Sequence, residues 1–443
     1  MHVTSASLGS PSMLDRASRI LSDVRSGEGA TALLFASSLF VGLFAYYVLK
    51  TVREPLILVT GGAEARAYAT AIQALLLMVL VPLYARLAER FDRKKLVLTT
   101  QVGFIASIEL FAVLSALRVP YLGIAFYVWL GVYALTSVAQ IWSLANDVYA
   151  HHEGMRLFPV VALGAPLGSA AGALFATHAF AGHDSIALLI HASVALLLLQ
   201  LGILFVLLRR PEVRTPMPPL ERTGGFTLVW RSSHLRWVAG LVVLLNLVNT
   251  TGEYLLSRAF LDEAARAASL ASATDVPAFT RDFVRTSYGQ FYFVVNAGSV
   301  LLQAFIASRV ASRFGLRGVL LALPIVALGA YGALATGVSF LVFRAMKVAE
   351  NATDYSLQNT GKALIWLGAS RDEKYKAKQV IDAYFMRFGD VLSALLVFAA
   401  THLIELSPRA LALVNVVFTL LALAVSLRVS REAAGQAQSA TNG

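Results

Sequence analysis

The chain has 443 residues, of which 57% are hydrophobic and only 14% are charged, and it contains no cysteine. A soluble domain of average composition carries roughly 25% charged residues, so this balance excludes an ordinary soluble protein and indicates a chain solvated by lipid. The absence of cysteine excludes disulfides, thiolate metal sites and cysteine nucleophiles. The net charge of +11 is concentrated in short segments between apolar runs, which is typical of membrane orientation and not of nucleic-acid binding.

Twelve apolar runs follow a polar segment at 1–29, which shows no cleavable signal pattern. A helix needs about 20 mostly apolar residues to cross a bilayer, and the runs meet or approach this length. The predicted spans, numbered 1 to 12, are Thr31–Val52, Ala65–Tyr84, Leu96–Leu117, Tyr121–Val148, Phe158–Phe180, Ile186–Leu208, Trp237–Leu256, Tyr288–Ile306, Leu316–Thr336, Phe340–Leu357, Val380–Ala400 and Ala410–Leu427.

The predicted fold is an all-α membrane protein with two pseudo-symmetric halves of six helices each. The N-terminal half covers 30–208, a polar linker covers 209–236, the C-terminal half covers 237–428, and a disordered tail covers 429–443. Lysine and arginine are concentrated in the tails, the linker and every second loop, which predicts that both termini face the cytoplasm. The sequence therefore predicts a multi-pass protein of the bacterial inner membrane, and we expect it to be a monomer.

An internal repeat links the two halves. The run RLAERFDRK at 86–94 follows span 2, and RVASRFGLR at 309–317 follows span 8, 223 residues later. This pattern resembles the basic loop motif of the major facilitator superfamily, whose halves are six-helix repeats. The alternative is that any tight cytoplasmic loop attracts arginine. The resemblance predicts a cytoplasmic gate formed by Arg90, Asp92, Arg93, Arg156 and Arg313.

Span 1 ends in three charged residues. Lys50, Arg53 and Glu54 are spaced at i, i+3 and i+4, which places them on one face of a helix. One interpretation is a cationic surface for an anionic solute, with Glu54 reducing its charge. The other is that the three side chains reach the membrane interface and anchor the helix there.

Polar residues also interrupt spans 4 and 7. Near the end of span 4, Asn146 and Asp147 predict a gate, a proton site or a helix cap, and the adjacent His151 and His152 lack the spacing of metal ligands. In span 7, Asn246, Asn249 and Glu253 lie on one face, at i, i+3 and i+7. Because an ionisable group inside a span usually has a function, Glu253 is a candidate proton carrier or partner for the cations of span 1.

Span 10 carries the densest set of charges. Lys347, Glu350, Asn351 and Asp354 form a polar stripe on one helix face, and Lys378 lies in a basic cluster before span 11. The stripe could be neutralised internally by ion pairs, but it would still need a polar cavity beside it. No phosphate-binding loop of the GxxxxGK[ST] type and no catalytic serine motif occurs. We therefore expect no enzyme activity, no cofactor and no metal.

Three segments together resemble the ATP/ADP translocase (nucleotide transporter) family of plastids and intracellular bacteria. They are VLKTVREPL at 48–56, WSLAND at 142–147 followed by RLFPVVALGA at 156–165, and KYKAKQVID at 374–382. Their order and spacing cover nearly the whole chain. The resemblance implies a facilitator-type fold that exchanges nucleotides across a membrane.

The resemblance also assigns roles to individual residues. Arg53 lies where the family has a substrate-interacting lysine, Glu253 where it has an acidic residue in span 7, and Lys378 in its C-terminal basic motif. Three hypotheses follow from the sequence. The first is exchange of a nucleotide or related phosphorylated anion. The second is proton-coupled transport of another polar solute, with Glu253 or Asp147 as the titrating group. The third is a sensor or assembly protein that keeps the fold without transport.

Overall fold

A computed structural model of the chain describes residues 28–441, except 118, 150, 180–184, 211–223 and 368. Every regular element in this part of the chain is helical. The N-terminal half contains α1 Gly29–Arg90, α2 Arg93–Ala116, α3 Leu122–Val148, α4 His151–His178 and α5 Ser185–Leu207. The predicted linker contains the short α6 Gly225–Arg231. The C-terminal half follows with α7 Ser233–Leu270, α8 Val276–Leu302, α9 Ser308–Thr336, α10 Phe340–Thr353, α11 Asn359–Ile365, α12 Lys378–Val380, α13 Met386–Phe398 and α14 Pro408–Thr441.

Five π-helical turns connect helices of the C-terminal half. They are Gln303–Ala307, Asp354–Gln358, Glu373–Ala377, Ile381–Phe385 and Ala399–Leu403. Each π turn accommodates one extra residue in a helical turn, and such turns are frequent at functional sites. Among the described residues, four of them lie in or at the end of spans 8, 10 and 11, the fifth, Glu373–Ala377, lies just before span 11, and the N-terminal half has none.

The described helices account for twelve membrane spans. Nine helical stretches in this part of the chain are long and apolar enough to cross a membrane. Two of them break at glycines in the left-handed region, Gly62 with φ of 71° and Gly315 with φ of 61°, which glycine adopts without steric cost. Because the 62 residues of α1 would extend about 93 Å if straight, each broken stretch contributes two spans. The charged span 10 completes the twelve, and the predicted all-α fold of two six-helix halves is confirmed.

The helix breaks follow the internal repeat. Asp92 lies between the second and third spans of the first half and caps α2, where its carboxylate accepts a hydrogen bond of 3.0 Å from the backbone N–H of Lys95. Gly315 breaks the C-terminal half at the equivalent position, 223 residues later. The repeated sequence RLAERF/RVASRF therefore has the same structural role in both halves, namely a turn between the second and third spans.

The two ends of the bundle are named after the predicted orientation. The outer end contains the turns at Gly62, 271–275 and Gly337, and the inner end contains the breaks at Asp92 and Gly315. At the inner end, α14 continues to Thr441, whereas the sequence predicted a disordered tail at 429–443. The helix is extended by alanine and glutamine, which have high helix propensity, and by the ion pair between Arg428 and Glu432 (3.2 Å).

Spans 1 and 5 of the N-terminal half approach each other backbone to backbone. Three glycines of α4, spaced four residues apart, face carbonyl groups of α1 at the same spacing. A Cβ atom on these glycines would lie 2.0, 2.2 and 2.3 Å from the carbonyl oxygens, so no larger residue fits. The pairs are Gly164 with Ala36, Gly168 with Phe40, and Gly172 with Phe44.

Candidate functional site

Seven charged side chains meet between spans 1, 2, 7 and 10, from the middle of the bundle towards its outer end. We call this group the charge cluster. Its members are Lys50, Arg53, Glu54, Arg66, Glu253, Lys347 and Glu350. Six of them are buried residues, and the side chain of Glu253 is 16% exposed. Charges inside a bilayer are expensive unless they are paired or contact water, so the cluster is a candidate functional site.

In the N-terminal half, Glu54 is the centre of the cluster. Its carboxylate pairs with the neighbouring Arg53 and with Arg66, whose Nε lies 2.9 Å from Glu54 Oε2. The hydroxyl of Tyr292, which belongs to the C-terminal half, donates to Glu54 Oε1 at 2.8 Å. Arg53 also lies over the ring of Tyr127, 4.1 Å from its centroid.

In the C-terminal half, Glu253 and Glu350 surround Lys347. Lys347 Nζ lies 2.8 Å from Glu350 Oε2 and 3.7 Å from Glu253 Oε1. Asn351 donates to Glu253 Oε1 at 3.0 Å. Tyr331 donates to Glu350 Oε1 at 2.6 Å. Span 10 is therefore neutralised partly within its own helix and partly by span 7.

Arg66 connects the two halves. Its Nη2 lies 3.0 Å from Glu253 Oε2, while its Nε pairs with Glu54. The helix break at Gly62 turns span 2 back alongside span 1. Arg66 therefore lies beside the carboxylate of Glu54, which is twelve residues earlier in the sequence. One guanidinium thus bridges a carboxylate of each half.

Lys50 differs from the other cations of the cluster because no carboxylate of the described residues lies within 4 Å of it. Its Nζ instead faces three tyrosine rings, at 4.2 Å from the centroid of Tyr292, 4.9 Å from Tyr47 and 6.0 Å from Tyr46. The cluster contains four cations and three carboxylates, so its formal charge is positive. A buried ammonium without a counter-ion, between aromatic faces, can accept an anion.

The structure brings together most of the predicted polar residues. Lys50, Arg53, Glu54, Glu253, Lys347, Glu350 and Asn351 all belong to or contact the charge cluster. Burial of the span 1 residues inside the bundle argues against the alternative that they anchor the helix at the membrane interface. The sequence analysis missed Arg66, Tyr127, Tyr292 and Tyr331.

Other predicted residues lie elsewhere. Asn146 is exposed and Asp147 is half-buried at the inner end of span 4. Asn249 and Asp354 are half-buried, and neither forms an ion pair or a hydrogen bond with a residue of the charge cluster. Lys378 pairs with Asp382 at 3.1 Å near the inner end. These residues are not part of the charge cluster in this conformation.

Asn246 shares a helical face with Glu253 in sequence but contacts a different span. It donates to Asp390 Oδ1 at 2.6 Å and to the carbonyl of Met386 at 2.7 Å. Asp390 also accepts from Thr250 at 2.8 Å and lies 3.3 Å from Arg387. This buried group joins spans 7 and 11 within the C-terminal half.

The predicted gate residues do not form a single contact group. Arg90 and Arg313 are exposed, Asp92 caps α2, and the side chain of Arg93 lies outside the described residues. Arg156 donates to both carboxylate oxygens of Glu28, at 2.8 and 3.0 Å. This pair joins α4, the helix of span 5, to the residue just before α1 and does not reach the C-terminal half. A gating role for the group remains a prediction.

The halves are joined at the outer end. Glu64 accepts hydrogen bonds from Tyr254 (3.1 Å) and Arg258 (3.2 Å) of span 7. Arg285 of span 8 is almost fully buried and donates to the carbonyl of Ala176 at 2.6 Å, at the end of span 5. Together with the Arg66 bridge, these contacts close the outer end between the halves.

At the inner end, a cavity of about 330 Å³ lies between spans 2 and 4 of one half and span 11 of the other. Its N-terminal wall is apolar and includes Leu77 and Leu135. Its C-terminal wall carries Lys374, Lys378 and Arg387. The described structure therefore has contacts between the halves at its outer end and a cationic space between them at its inner end.

Comparisons with known proteins identify the fold. No family model and no curated protein matches the sequence. A crystal structure of a mutant nucleoside transporter NupG is similar with a TM-score of 0.67 and 10% identity, covering 90% of this chain and 99% of that chain. The POT family transporter PepTSo gives a TM-score of 0.63 at 12% identity, covering 92% and 99%. A bacterial homologue of the iron transporter ferroportin, in an inward-facing state, gives 0.60 at 16% identity, covering 90% and 99%.

These similarities show that the chain has the fold of major facilitator-type transporters. It is a multi-pass membrane protein of two six-helix halves. At such low identities the likeness concerns the fold alone, and the neighbours carry different solutes according to their names. What this chain does must be inferred from its own site.

Gly252 of span 7 determines how closely Lys347 and Tyr331 can approach that helix. A Cβ at Gly252 would lie 1.8 Å from the Tyr331 hydroxyl and 2.9 Å from Lys347 Nζ. We expect Gly252→Ala to destabilise the purified protein by about 1–3 kcal/mol, the usual range for overpacking, measured by thermal unfolding in detergent. Gly240→Ala is the matched control on the same helix, because a Cβ there meets no atom within 4 Å. Equal melting temperatures for the two variants would contradict the packing described here.

Proposed function

We propose that this protein is a secondary transporter that exchanges a nucleotide or a related phosphorylated anion by alternating access. The observation that carries the proposal is Lys50, a buried ammonium without a carboxylate partner in a cluster of positive formal charge. An anion that binds there would supply the missing counter-ion. Phosphoryl groups suit this position because arginine and lysine bind phosphate oxygens with charge-assisted hydrogen bonds.

The aromatic residues beside the cations support a nucleotide over inorganic phosphate. Tyr46, Tyr47 and Tyr292 surround Lys50, and Tyr127 lies against Arg53. Aromatic faces stack on nucleobases, and stacking contributes about 1–3 kcal/mol per base. A ligand with an aromatic base and a phosphate chain could use both parts of the site. The resemblance of the span 1 segment to the ATP/ADP translocase family points to the same substrate class.

Alternating access is supported by the arrangement of the halves. Contacts at the outer end and a cavity at the inner end fit a conformation that is accessible from the inner side. We further propose that the inner end, with both termini and the linker, faces the cytoplasm of a bacterial cell. The boundaries of the halves at 30–208 and 237–428 are part of the same proposal.

The proposal can be tested with purified protein in liposomes. We expect labelled ADP or ATP to enter liposomes preloaded with ADP, and not to enter liposomes that contain only buffer. Labelled nucleoside without phosphate is the matched negative substrate. Nucleotide entry driven by a pH gradient, without internal nucleotide, would contradict exchange and support proton coupling. Failure of every tested anion, in protein that unfolds cooperatively, would support a non-transporting role.

The contacts of Glu253 favour exchange over proton coupling. Its carboxylate faces Arg66, Lys347 and Asn351, and two cations and an amide N–H all stabilise its ionised form. A proton carrier has to alternate between charged and neutral forms during the transport cycle. A pH-sensitive dye inside the same liposomes would report any proton movement that accompanies nucleotide entry.

A further inference from the structure

Arg66 is the only cation of the charge cluster that pairs with carboxylates of both halves, among the described residues. Its Nε is 2.9 Å from Glu54 Oε2 in the N-terminal half, and its Nη2 is 3.0 Å from Glu253 Oε2 in the C-terminal half. The Arg66 side chain is only 7% exposed. The carboxylates of Glu54 and Glu253 therefore occupy N–H donors of the Arg66 guanidinium inside the charge cluster.

We propose that Arg66 is a substrate-operated latch, which opens the outer end only when an anion takes the place of its carboxylate partners. The proposal rests on the proposed function, because it requires an anionic substrate in the charge cluster. Phosphate oxygens compete with carboxylates for the same planar donors of arginine. An anion held by Lys50 and Arg53 would compete with Glu54 for Arg53. Because Glu54 also pairs with Arg66, displacement of Glu54 would make Arg66 available to the anion.

Displacement of the carboxylates would weaken two contacts between the halves at once. The Arg66–Glu253 ion pair crosses the interface directly. The hydrogen bond from Tyr292 to Glu54 crosses it as well, and Tyr292 also forms the face nearest to Lys50. Substrate binding would thus act on the groups that hold the two halves together beside the site.

The remaining contacts at the outer end lie farther from the site. Glu64 with Arg258 is a partly exposed pair, and surface pairs of this kind contribute at most about 1 kcal/mol. Arg285 bonds backbone carbonyls of span 5 and contacts none of the charge cluster. These contacts close the outer end but do not sense the substrate, so the latch is assigned to Arg66.

The latch gives a physical reason for exchange without leak. A ligand shifts a conformational equilibrium only through a difference in its affinity for the two states. Without an anion, Arg66 keeps both carboxylates and the outer end stays closed. An empty carrier therefore cannot return through the outward-open state, and each anion that leaves has to be replaced by another.

The absence of cysteine makes the latch measurable. Thr60 and Ala265 are exposed residues of opposite halves at the outer end, so Thr60→Cys and Ala265→Cys can carry a single pair of spin labels. The distance between the labels reports opening of the outer end. We expect one short distance in the unliganded protein and a second, longer distance after addition of ADP.

Two substitutions break the latch from its two sides. In Glu253→Gln and in Arg66→Gln, we expect the longer distance to appear without ADP, with the ratio of open to closed molecules raised about tenfold or more. Asp390→Asn is the matched control, because it neutralises a buried carboxylate that pairs with Arg387 inside the C-terminal half. Its distances should equal those of the parent protein. If Arg66→Gln does not fold, Arg66→Lys keeps the charge but lacks the bridging geometry and should open in the same way.

The outcomes separate the latch from the proposed function. Opening of the variants without ADP, combined with no response of the parent protein to ADP, would support the latch and overturn the nucleotide substrate. A response of the parent to ADP with variants that stay closed would overturn the latch and support the substrate. No change in any of these proteins would overturn both.

Discussion

Replacement of Lys50 and Arg53 together by alanine is expected to lower the exchange of labelled ADP by about 100-fold or more. Each cation would lose a charge-assisted contact with the anion, worth about 1.5–3 kcal/mol, and each 1.4 kcal/mol corresponds to roughly tenfold in affinity. The double variant also leaves Glu54 with only Arg66 as a cationic partner. The measurement is initial exchange in liposomes that contain equal amounts of protein.

The Lys50→Ala/Arg53→Ala substitution also lowers the net charge of the protein by two, and a second double variant separates this effect from the loss of the site. Arg428 and Arg431 are exposed cations at the inner end of α14, so the double substitution Arg428→Ala/Arg431→Ala removes the same charge far from the cluster. This variant should exchange ADP at the parental rate. Normal exchange by the Lys50→Ala/Arg53→Ala protein would show that the cationic surface of span 1 is not the substrate site.

A substitution at Lys347 should have the largest effect on stability. Its ammonium is fully buried and faces Glu350 and Glu253. Lys347→Leu leaves Glu350 buried without a cation, and removal of one partner of a buried pair usually destabilises a protein by about 3–5 kcal/mol. We expect a correspondingly large fall in the melting temperature of the purified protein.

The double variant Lys347→Leu/Glu350→Leu separates stability from function. It removes both charges of the pair, and apolar replacement of a whole buried ion pair is often neutral or stabilising. Glu253 keeps Arg66 and Asn351 as partners. We therefore expect the melting temperature to recover, while ADP exchange falls below that of the parent protein because a cation of the charge cluster is missing. A double variant as unstable as the single one would show that these side chains serve mainly as packing elements.

The sequence predicts the number of spans well because hydrophobic length is a local property. It also predicts that Lys50, Arg53 and Glu54 face the interior of the helix bundle, because charges inside a span need a polar environment. The charges of span 10 predict in the same way that this helix faces a polar environment. Hydrophobicity alone does not identify span 10 as a membrane span, because it carries too many charges. These features depend on residues that lie close together in the sequence.

Arg66 could not be assigned in the same way. In the sequence it lies at the outer margin of span 2, where an arginine is unremarkable, and only the break at Gly62 brings it beside Glu54. The tyrosines were missed for a different reason. Aromatic residues are common in membrane spans, and nothing local distinguishes Tyr292 from a packing residue.

Helical periodicity alone also failed to show which polar residues on the face of Glu253 contact the charge cluster. Asn246 is seven residues away and lies on nearly the same face, but two turns of helix place it about 10 Å lower. At that height span 11 is the nearest polar neighbour, so Asn246 bonds Asp390 instead of the charge cluster. The height of a residue along the helix axis determines which residue of a neighbouring helix it contacts. This height relative to the neighbouring helices is known only from the tertiary structure.

The glycine contacts between spans 1 and 5 have a mechanical consequence. Three close backbone contacts make these two helices a stiff pair, since at these three positions no side chain separates the backbones. The C-terminal half has π turns in spans 8, 10 and 11, where a helix can bend with little loss of hydrogen bonding. The two repeats thus share a layout but differ in their expected elasticity: we expect the N-terminal half to move as a stiffer body, and the C-terminal half to bend at its π turns.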